Sequence, residues 1–274
     1  MNNPFGSAQD EPSPDSSAPS GQAPQPFDNA QGKPAPTPQS VRVPMPRSAP
    51  YVTYSIIGVT AFIFILQLAT QAFARVDIPA VFFIKSNELI RAGQIWRLFT
   101  PALLHASLLH IGFNMYALLS FGTGLERHFG HGRFLLLYVL GAFAGNVASF
   151  LFTSGNSLGA STAIFGLLSA EGVFLYQNRK LFAGQFRNAI GNIIFIAAIN
   201  LFIIGSLPGI DNWGHIGGLL GGLIFTSFAG PLWEFEGISP AYHLVDRRPL
   251  REVIIGAATV ILIFGGLALW GMVR

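Results

Sequence analysis

Three segments of the chain carry side chains suited to nucleophilic catalysis. Ser161 stands at the predicted start of a short helix, where free backbone N–H groups and the positive end of the helix dipole face outward. A serine hydroxyl needs an adjacent base to become nucleophilic, and His215 is a candidate base that can accept its proton and return it. His110 and Asn114 are four residues apart, so they share a helix face and can both donate hydrogen bonds to an oxyanion.

Each of these residues also has a structural interpretation when it is taken alone. A serine at a helix start is often only the N-cap. An Asn or His within a membrane helix often hydrogen-bonds a neighbouring helix. What favours catalysis is the depth that these residues share in the predicted membrane topology.

Other catalytic chemistries lack their residues in this chain. It has no cysteine, no His-Glu-x-x-His zinc motif and no Asp inside a predicted span. Glu171 lies ten residues after Ser161, about 15 Å along a helix, so we expect it to satisfy a buried polar contact. We therefore predict a reaction that uses no metal and no cofactor.

The composition predicts an all-α polytopic membrane protein. Of its 274 residues, 51% are hydrophobic and 11% are charged, and the mean hydropathy is +0.49. An ordinary soluble domain carries about 25% charged residues. The net charge of +3 is small and suits loop anchoring at a membrane surface, not a nucleic-acid partner. Residues 1–50 are rich in Pro, Ser and Gln and predict a disordered cytoplasmic tail, with a Pro-rich docking peptide as the alternative.

The remainder of the chain, residues 51–273, predicts one transmembrane domain with seven spans, since a spanning helix needs about 20 mostly apolar residues. The predicted spans are Tyr51–Phe73, Leu103–Leu125, Phe134–Phe152, Ser161–Tyr176, Ile190–Leu207, Trp213–Ala229 and Val253–Val273. The fourth is short, so it must end below one surface or open onto a cavity.

The distribution of Lys and Arg near the span ends predicts how the seven spans are oriented in the membrane. With the N-terminus inside the cell, ten of these residues lie on the cytoplasmic side and five on the other. The prediction is a cell-membrane protein with a cytoplasmic N-terminus and an outer C-terminus, which places Ser161, His215, His110 and Asn114 near the outer face. The long first outer loop, residues 74–102, mixes apolar and charged residues and is expected to lie in the membrane interface, with Trp96 at headgroup depth.

A stripe of glycines explains how the base could reach the nucleophile. Gly214, Gly218 and Gly222 recur every four residues on span six, and such a stripe lets another backbone approach closely. We expect it to pack on a face of span four formed by Ala163, Gly166 and Ala170.

Asp211, four residues before His215, is the one carboxylate that could complete a triad. It follows Pro208-Gly209 in a short outer loop, so we expect it to face water and the site to be a dyad.

Taken together, these segments resemble the rhomboid family of intramembrane serine proteases, and the resemblance covers about residues 51–273. The motifs that carry it are Trp96-Arg97, His105 with His110-x-x-x-Asn114, Gly122-x-x-x-Glu126-Arg127, Gly159-Ala160-Ser161 and His215-x-Gly217-Gly218.

The resemblance implies a six-helix core followed by a seventh helix, embedded in the lipid bilayer. It also implies a Ser161–His215 dyad that cleaves single-pass transmembrane proteins near the outer face. His110, Asn114 and the Ser161 backbone N–H would form the oxyanion hole, and Phe165 would pack on the base. The family pattern is Gly-x-Ser-Gly, whereas this chain has Thr162 at the last position, which leaves substrate preference open.

Two other functions would leave different marks in the sequence. An inactive relative that binds transmembrane clients without cutting them would be marked by loss of the serine or the histidine, and both are present. A transporter would show inverted repeats and broken spans in matching halves, and the sequence has no such symmetry.

Overall fold

The computed structural model describes residues 48–182, 184–238 and 242–274, so nearly all of the predicted tail, residues 1–50, lies outside the described residues. Helices dominate this part of the chain, and the predicted all-α polytopic membrane fold is confirmed. The elements, in order, are α1 (Tyr51–Ala74), α2 (Ile78–Phe83), α3 (Asn87–Arg91), α4 (Leu108–Ala117), α5 (Thr123–Phe129), α6 (His131–Phe152), α7 (Ser161–Gln177), α8 (Phe186–Ala198), α9 (Asn212–Ala229), β1 (Trp233–Glu236), β2 (His243–Asp246) and α10 (Leu250–Val273).

Several short segments extend or separate these helices. A π-helical turn, Leu118–Gly122, joins α4 to α5, and a second one, Ile199–Ile203, carries α8 on to a 3-10 turn that ends at Ser206. Two further 3-10 turns, Ile95–Leu98 and Thr100–Leu103, precede α4.

Among the described residues, five helical segments are long and apolar enough to cross a membrane: Tyr51–Ala74, Leu108–Phe129, His131–Phe152, Phe186–Ser206 and Leu250–Val273. The other two predicted spans are α7, with 17 residues, and α9, with 18. These two shorter helices carry Ser161 and His215.

The second span begins later in the structure than the sequence predicted. The prediction placed its start at Leu103, but the helix starts at Leu108, because the Ser107 hydroxyl caps the His110 backbone N–H at 3.2 Å. The helix continues past the predicted end at Leu125 to Phe129, where Gly130 adopts a positive φ of 74°.

α6 is the central helix of the fold. Fourteen of its 22 residues are buried, and it packs against both α7 and α9. α8, in contrast, buries none of its residues, although it contacts α7. The segment Phe186–Ser206, which contains α8, is long and apolar enough to cross a membrane and is not buried by protein, so its surface suits contact with lipid. The Ser161 end of the molecule is the end at which α7 and α9 begin and α6 ends.

The loop between α1 and α4 is folded instead of extended. The Arg97 guanidinium donates to the carbonyls of Val81 and Ile84 at 2.7 and 2.8 Å, which ties the 3-10 turn Ile95–Leu98 to α2. The indole N–H of Trp96 donates to the Phe82 carbonyl at 3.1 Å. The location of this loop in the membrane interface stays a prediction.

A short antiparallel hairpin lies between α9 and α10, and the sequence analysis did not predict it. β1 pairs with β2 in the register Trp233 with Asp246 and Glu236 with His243. Its strands have four residues each, too few for an alternating pattern to stand out in the sequence.

Candidate active site

The structure brings the two principal candidate residues together. The Nε2 atom of His215, in the first turn of α9, lies 3.0 Å from the Ser161 hydroxyl at the first position of α7. The His215 side chain is buried and Ser161 is half-buried. This distance is within hydrogen-bonding range for a nucleophile and its base.

Glycines set the close approach of α7 and α9 that this distance requires. A Cβ atom placed on Gly218 would stand 2.0 Å from the Thr162 carbonyl oxygen, and one on Gly222 would stand 2.1 Å from the Gly166 carbonyl oxygen. Both contacts are with backbone atoms, which cannot swing aside. The predicted glycine stripe of span six therefore faces span four, as the sequence indicated.

The face of α7 that receives this stripe differs from the predicted one. The stripe meets Thr162, Gly166 and Ser169, whereas Ala163 faces Gly141 of α6. Of the three predicted positions, Gly166 meets the stripe and Ala163 meets α6, because small residues on α7 serve two neighbouring helices at once. The contact predicted for Ala170 stays a prediction. Sequence periodicity alone does not say which neighbour each small residue meets.

The Thr162 side chain of α7 packs between α6 and α9. It is 3% exposed, and its Cβ lies 2.6 Å from the position that a Cβ on Gly145 would occupy. Its methyl group also lies 3.1 Å from the corresponding position on Gly214. Glycines on α6 and α9 therefore make the room for the threonine that replaces the usual glycine of the family pattern.

The His215 ring is held by stacking. The Phe165 ring lies parallel to the imidazole, with centroids 4.1 Å apart and planes inclined by 9°. The Nδ1 atom of His215 has no hydrogen-bond partner among the described residues. Phe165 thus occupies the base-packing position that the resemblance implied.

Of the predicted oxyanion donors, His110 lies near Ser161, since both side chains approach the same point beside Gly159. The hydrogen bonds of His110 and Asn114 indicate which of their protons are free. The Ala106 N–H points at His110 Nδ1 over 3.4 Å, which leaves the proton of a neutral imidazole on Nε2. The Asn114 amide donates one of its two N–H groups to the His110 carbonyl at 2.9 Å. Asn114 therefore has one N–H, not two, left for a substrate.

Gly159 packs against the His110 ring and lies near the Ser161 hydroxyl. It has a φ of +128°, a conformation that favours glycine. A Cβ atom at Gly159 would stand 2.8 Å from His110 Nε2 and 3.7 Å from the Ser161 hydroxyl oxygen. The point beside Gly159 is therefore within reach of both side chains.

Asp211 is half-buried and its carboxylate is bound by protein donors, so the prediction that it faces water was wrong. It is the N-cap of α9, where its carboxylate accepts the Gly214 N–H at 3.0 Å, and it also accepts hydroxyl hydrogen bonds from α6 and the loop that follows. Burial raises its pKa, but hydrogen bonds from Ser149, Ser157 and Thr153 outweigh this, so the pKa lies below its usual value. No hydrogen bond joins Asp211 to His215 Nδ1 among the described residues.

Lys85 is a polar residue near the site that the sequence analysis did not single out. It is completely buried, and its ammonium donates to the Thr153 and Gly155 carbonyls at 2.8 Å each. Burial lowers its pKa to about 8, although the negative charge of Asp211 raises it in part. A lysine in a loop gives no local signal of burial, so only the folded loop reveals it.

Fold and site together define a polytopic helical membrane protein with a serine–histidine pair between two of its inner helices. Residues 92–231 match the family model described as the Rhomboid domain. The chain belongs to the rhomboid family.

Curated relatives agree with this assignment. The chain is 38% identical over 218 residues to rhomboid protease GluP of Bacillus subtilis (strain 168), an alignment that covers 80% of this chain and 41% of the relative. It is 35% identical over 189 residues to RHOMBOID-like protein 1 of Arabidopsis thaliana, covering 65% of this chain and 48% of that protein. RHOMBOID-like protein 6, mitochondrial, from the same plant is 36% identical over 187 residues, covering 65% and 60%. The chain thus spans about two-fifths to three-fifths of the length of these relatives.

Proposed function

We propose that this protein is an intramembrane serine endopeptidase that cleaves single-pass transmembrane proteins near the outer membrane face. The observation that carries the proposal is the 3.0 Å separation of the Ser161 hydroxyl and His215 Nε2. Membership of the rhomboid family supports an intramembrane protease, and the relative from Bacillus subtilis is named a rhomboid protease.

In the proposed reaction, His215 is the general base. Its Nε2 accepts the Ser161 proton while the serine oxygen attacks the carbonyl carbon of the scissile peptide, and the carbonyl π electrons move onto its oxygen. Protonated His215 then gives that proton to the amine nitrogen as the C–N bond breaks, which leaves an ester on Ser161. Water hydrolyses this ester by the same proton transfers and restores both residues.

The negative oxygen of the tetrahedral intermediate would lie beside Gly159, near the Ser161 hydroxyl and His110 Nε2. There it would accept hydrogen bonds from His110 Nε2, from the remaining N–H of Asn114 and from the Ser161 backbone N–H. Donors aimed at a developing charge in a water-poor site lower the barrier more than the same donors do in water. The neutral Nε2-protonated form of His110 suits this role.

The orientation in the membrane is part of the proposal. The excess of Lys and Arg on one side predicts a cytoplasmic N-terminus, an outer C-terminus and a site that opens outward in the cell membrane. A reporter or a protease-accessible tag fused at either terminus would test this orientation independently of activity.

The decisive experiment is cleavage of a model single-pass substrate by the purified protein in liposomes. We expect Ser161→Ala and His215→Ala to abolish cleavage, and a fluorophosphonate probe to label the wild type at Ser161. Ser120→Ala is the matched control, because Ser120 is exposed and its hydroxyl bonds only the Tyr116 carbonyl of its own helix. Cleavage or labelling undiminished in Ser161→Ala would refute the nucleophile. An uncleaved substrate that the wild type still binds would favour a non-catalytic client-binding protein.

A further inference from the structure

The Asp211 carboxylate is the centre of a hydrogen-bond cluster at the Ser161 end. Oδ1 accepts from the Gly214 N–H at 3.0 Å and from the Thr153 hydroxyl at 2.7 Å. Oδ2 accepts from the Ser157 hydroxyl at 2.6 Å and from the Ser149 hydroxyl. Four donors on one carboxylate fill most of its acceptor capacity, so the group is fixed in position.

Two of these donors, Gly214 and Ser157, belong to the segments that carry the two reacting side chains. Gly214 directly precedes His215 on α9, and the His215 backbone N–H bonds the Asp211 carbonyl at 3.2 Å. Ser157 lies four residues before Ser161 in the loop that leads into α7. The Asp211 side chain therefore contacts both the helix start that presents the base and the loop that presents the nucleophile.

A buried cation extends the cluster to the first loop. Thr153 donates its hydroxyl to Asp211, while its carbonyl accepts from the Lys85 ammonium. The backbones of Lys85 and Ser157 also pair, with N–O distances of 3.0 and 3.2 Å. The loop before Ser161 is thus held between Lys85 on one side and Asp211 on the other.

We propose that Asp211 is a positioning residue for the Ser161–His215 pair. This inference rests on the proposed proteolytic function. By binding the start of α9, the end of α6 and the loop before α7, the carboxylate fixes the distance between His215 Nε2 and the Ser161 hydroxyl. Asp211 acts through these segments and not as a third catalytic group, because its oxygens are bonded elsewhere and His215 Nδ1 is not among their partners.

The conservative substitution separates this role from that of a triad member. Asn is as good an N-cap as Asp, and its carbonyl oxygen can still accept the Gly214 N–H. Hydroxyl groups can reverse their hydrogen bonds and accept from the Asn amide. Asp211→Asn should therefore retain kcat within a few-fold, whereas replacing a triad Asp by Asn costs about 10⁴-fold.

The test compares full-length wild type, Asp211→Asn and Asp211→Ala in liposomes with the model single-pass substrate. Asp211→Ala removes all four contacts, and a misplacement of about 1 Å costs about 10²-fold in rate. We expect kcat and the rate of fluorophosphonate labelling to fall together by about that factor, with KM nearly unchanged because Asp211 does not contact the substrate.

Asp246→Ala is the matched control. Asp246 is a partly buried carboxylate at the opposite end, where it accepts hydrogen bonds from the Leu232 and Arg248 backbone N–H groups and from the Arg133 guanidinium. Its loss should lower thermal stability but leave the kcat of the folded protein unchanged. If Asp211→Ala does not fold, Ser157→Ala removes one contact, and a kcat decrease of about tenfold is expected by the same argument.

Several outcomes would overturn the inference. The first is a wild-type kcat in Asp211→Ala or, if that variant does not fold, in Ser157→Ala. Asp246→Ala could lose as much kcat as Asp211→Ala, which would show a general effect of stability. A loss near 10⁴-fold in Asp211→Asn would make Asp211 a triad member. Failure of the proposed function looks different, since the wild type would then be no more active than Ser161→Ala.

Discussion

Gly218→Ala is expected to separate the two helices that carry Ser161 and His215. The new methyl carbon would stand 2.0 Å from the Thr162 carbonyl oxygen and 2.9 Å from its carbonyl carbon. Ordinary van der Waals contact begins at 3.4 Å, so the backbones of α7 and α9 must move apart by about 1.4 Å at this point. The obstructing atoms are backbone, and no rotamer change can relieve the clash.

The displacement acts directly on the pair. Thr162 immediately follows Ser161, and Gly218 is three residues after His215 on the same helix. The 3.0 Å distance between the Ser161 hydroxyl and His215 Nε2 would exceed hydrogen-bonding range after such a movement. A misplacement of about 1 Å costs about 10²-fold in rate, and overpacking costs about 1–3 kcal/mol of stability.

The assay is the turnover of a single-pass substrate in liposomes, with thermal unfolding followed in parallel. Gly265→Ala is the control, because a Cβ on Gly265 of α10 meets nothing within 4 Å. It should keep full kcat and gain slightly in stability, since Ala favours a helix over Gly by about 1 kcal/mol. A folded Gly218→Ala protein with wild-type kcat would refute the packing argument.

The remaining predictions concern the oxyanion donors and the first helix. His110→Ala and Asn114→Ala should each lower kcat by about 10²–10³-fold with little change in melting temperature, and whichever variant keeps full turnover identifies a residue with a structural role only. Glu126→Ala should lower the melting temperature without changing the kcat of the folded protein. The reason is that the Glu126 carboxylate accepts the Val52 and Thr53 backbone N–H groups at 2.8 and 2.7 Å and so caps the start of α1. Equal melting temperatures for Glu126→Ala and wild type would contradict this capping role.

The helices and the candidate residues could be predicted because their signals are local. Long apolar segments with few charges require a helix in a bilayer, since every backbone polar group must be satisfied internally. The predicted start and end of α1 differ from the structure by at most one residue. The predicted start of the second span, Leu103, lies five residues before the observed start at Leu108. The reason is that Ser107 caps the helix and residues before it form a separate 3-10 turn.

The glycine stripe of α9 was also visible in the sequence, but its partner was not. A small residue permits a close approach without specifying which helix approaches. In the structure Gly218 and Gly222 meet α7, whereas Gly217 and Gly221 meet Ala144 of α6. Adjacent glycines thus serve different neighbours, and only the packing of three helices assigns them.

Asp211 shows most clearly what only the tertiary structure decided. In the sequence, Asp211 comes two residues before the predicted span at Trp213 and close to the turn-forming Pro208-Gly209, so solvation in a loop was the expectation from local context. Its partners Ser149, Thr153 and Ser157 are 54 to 62 residues away along the chain. Hydroxyl groups at that separation leave no local pattern, because their convergence depends on where α6 ends relative to α9. The sequence therefore determined which side chains are present for chemistry, and the packing of the helices determined which of them meet.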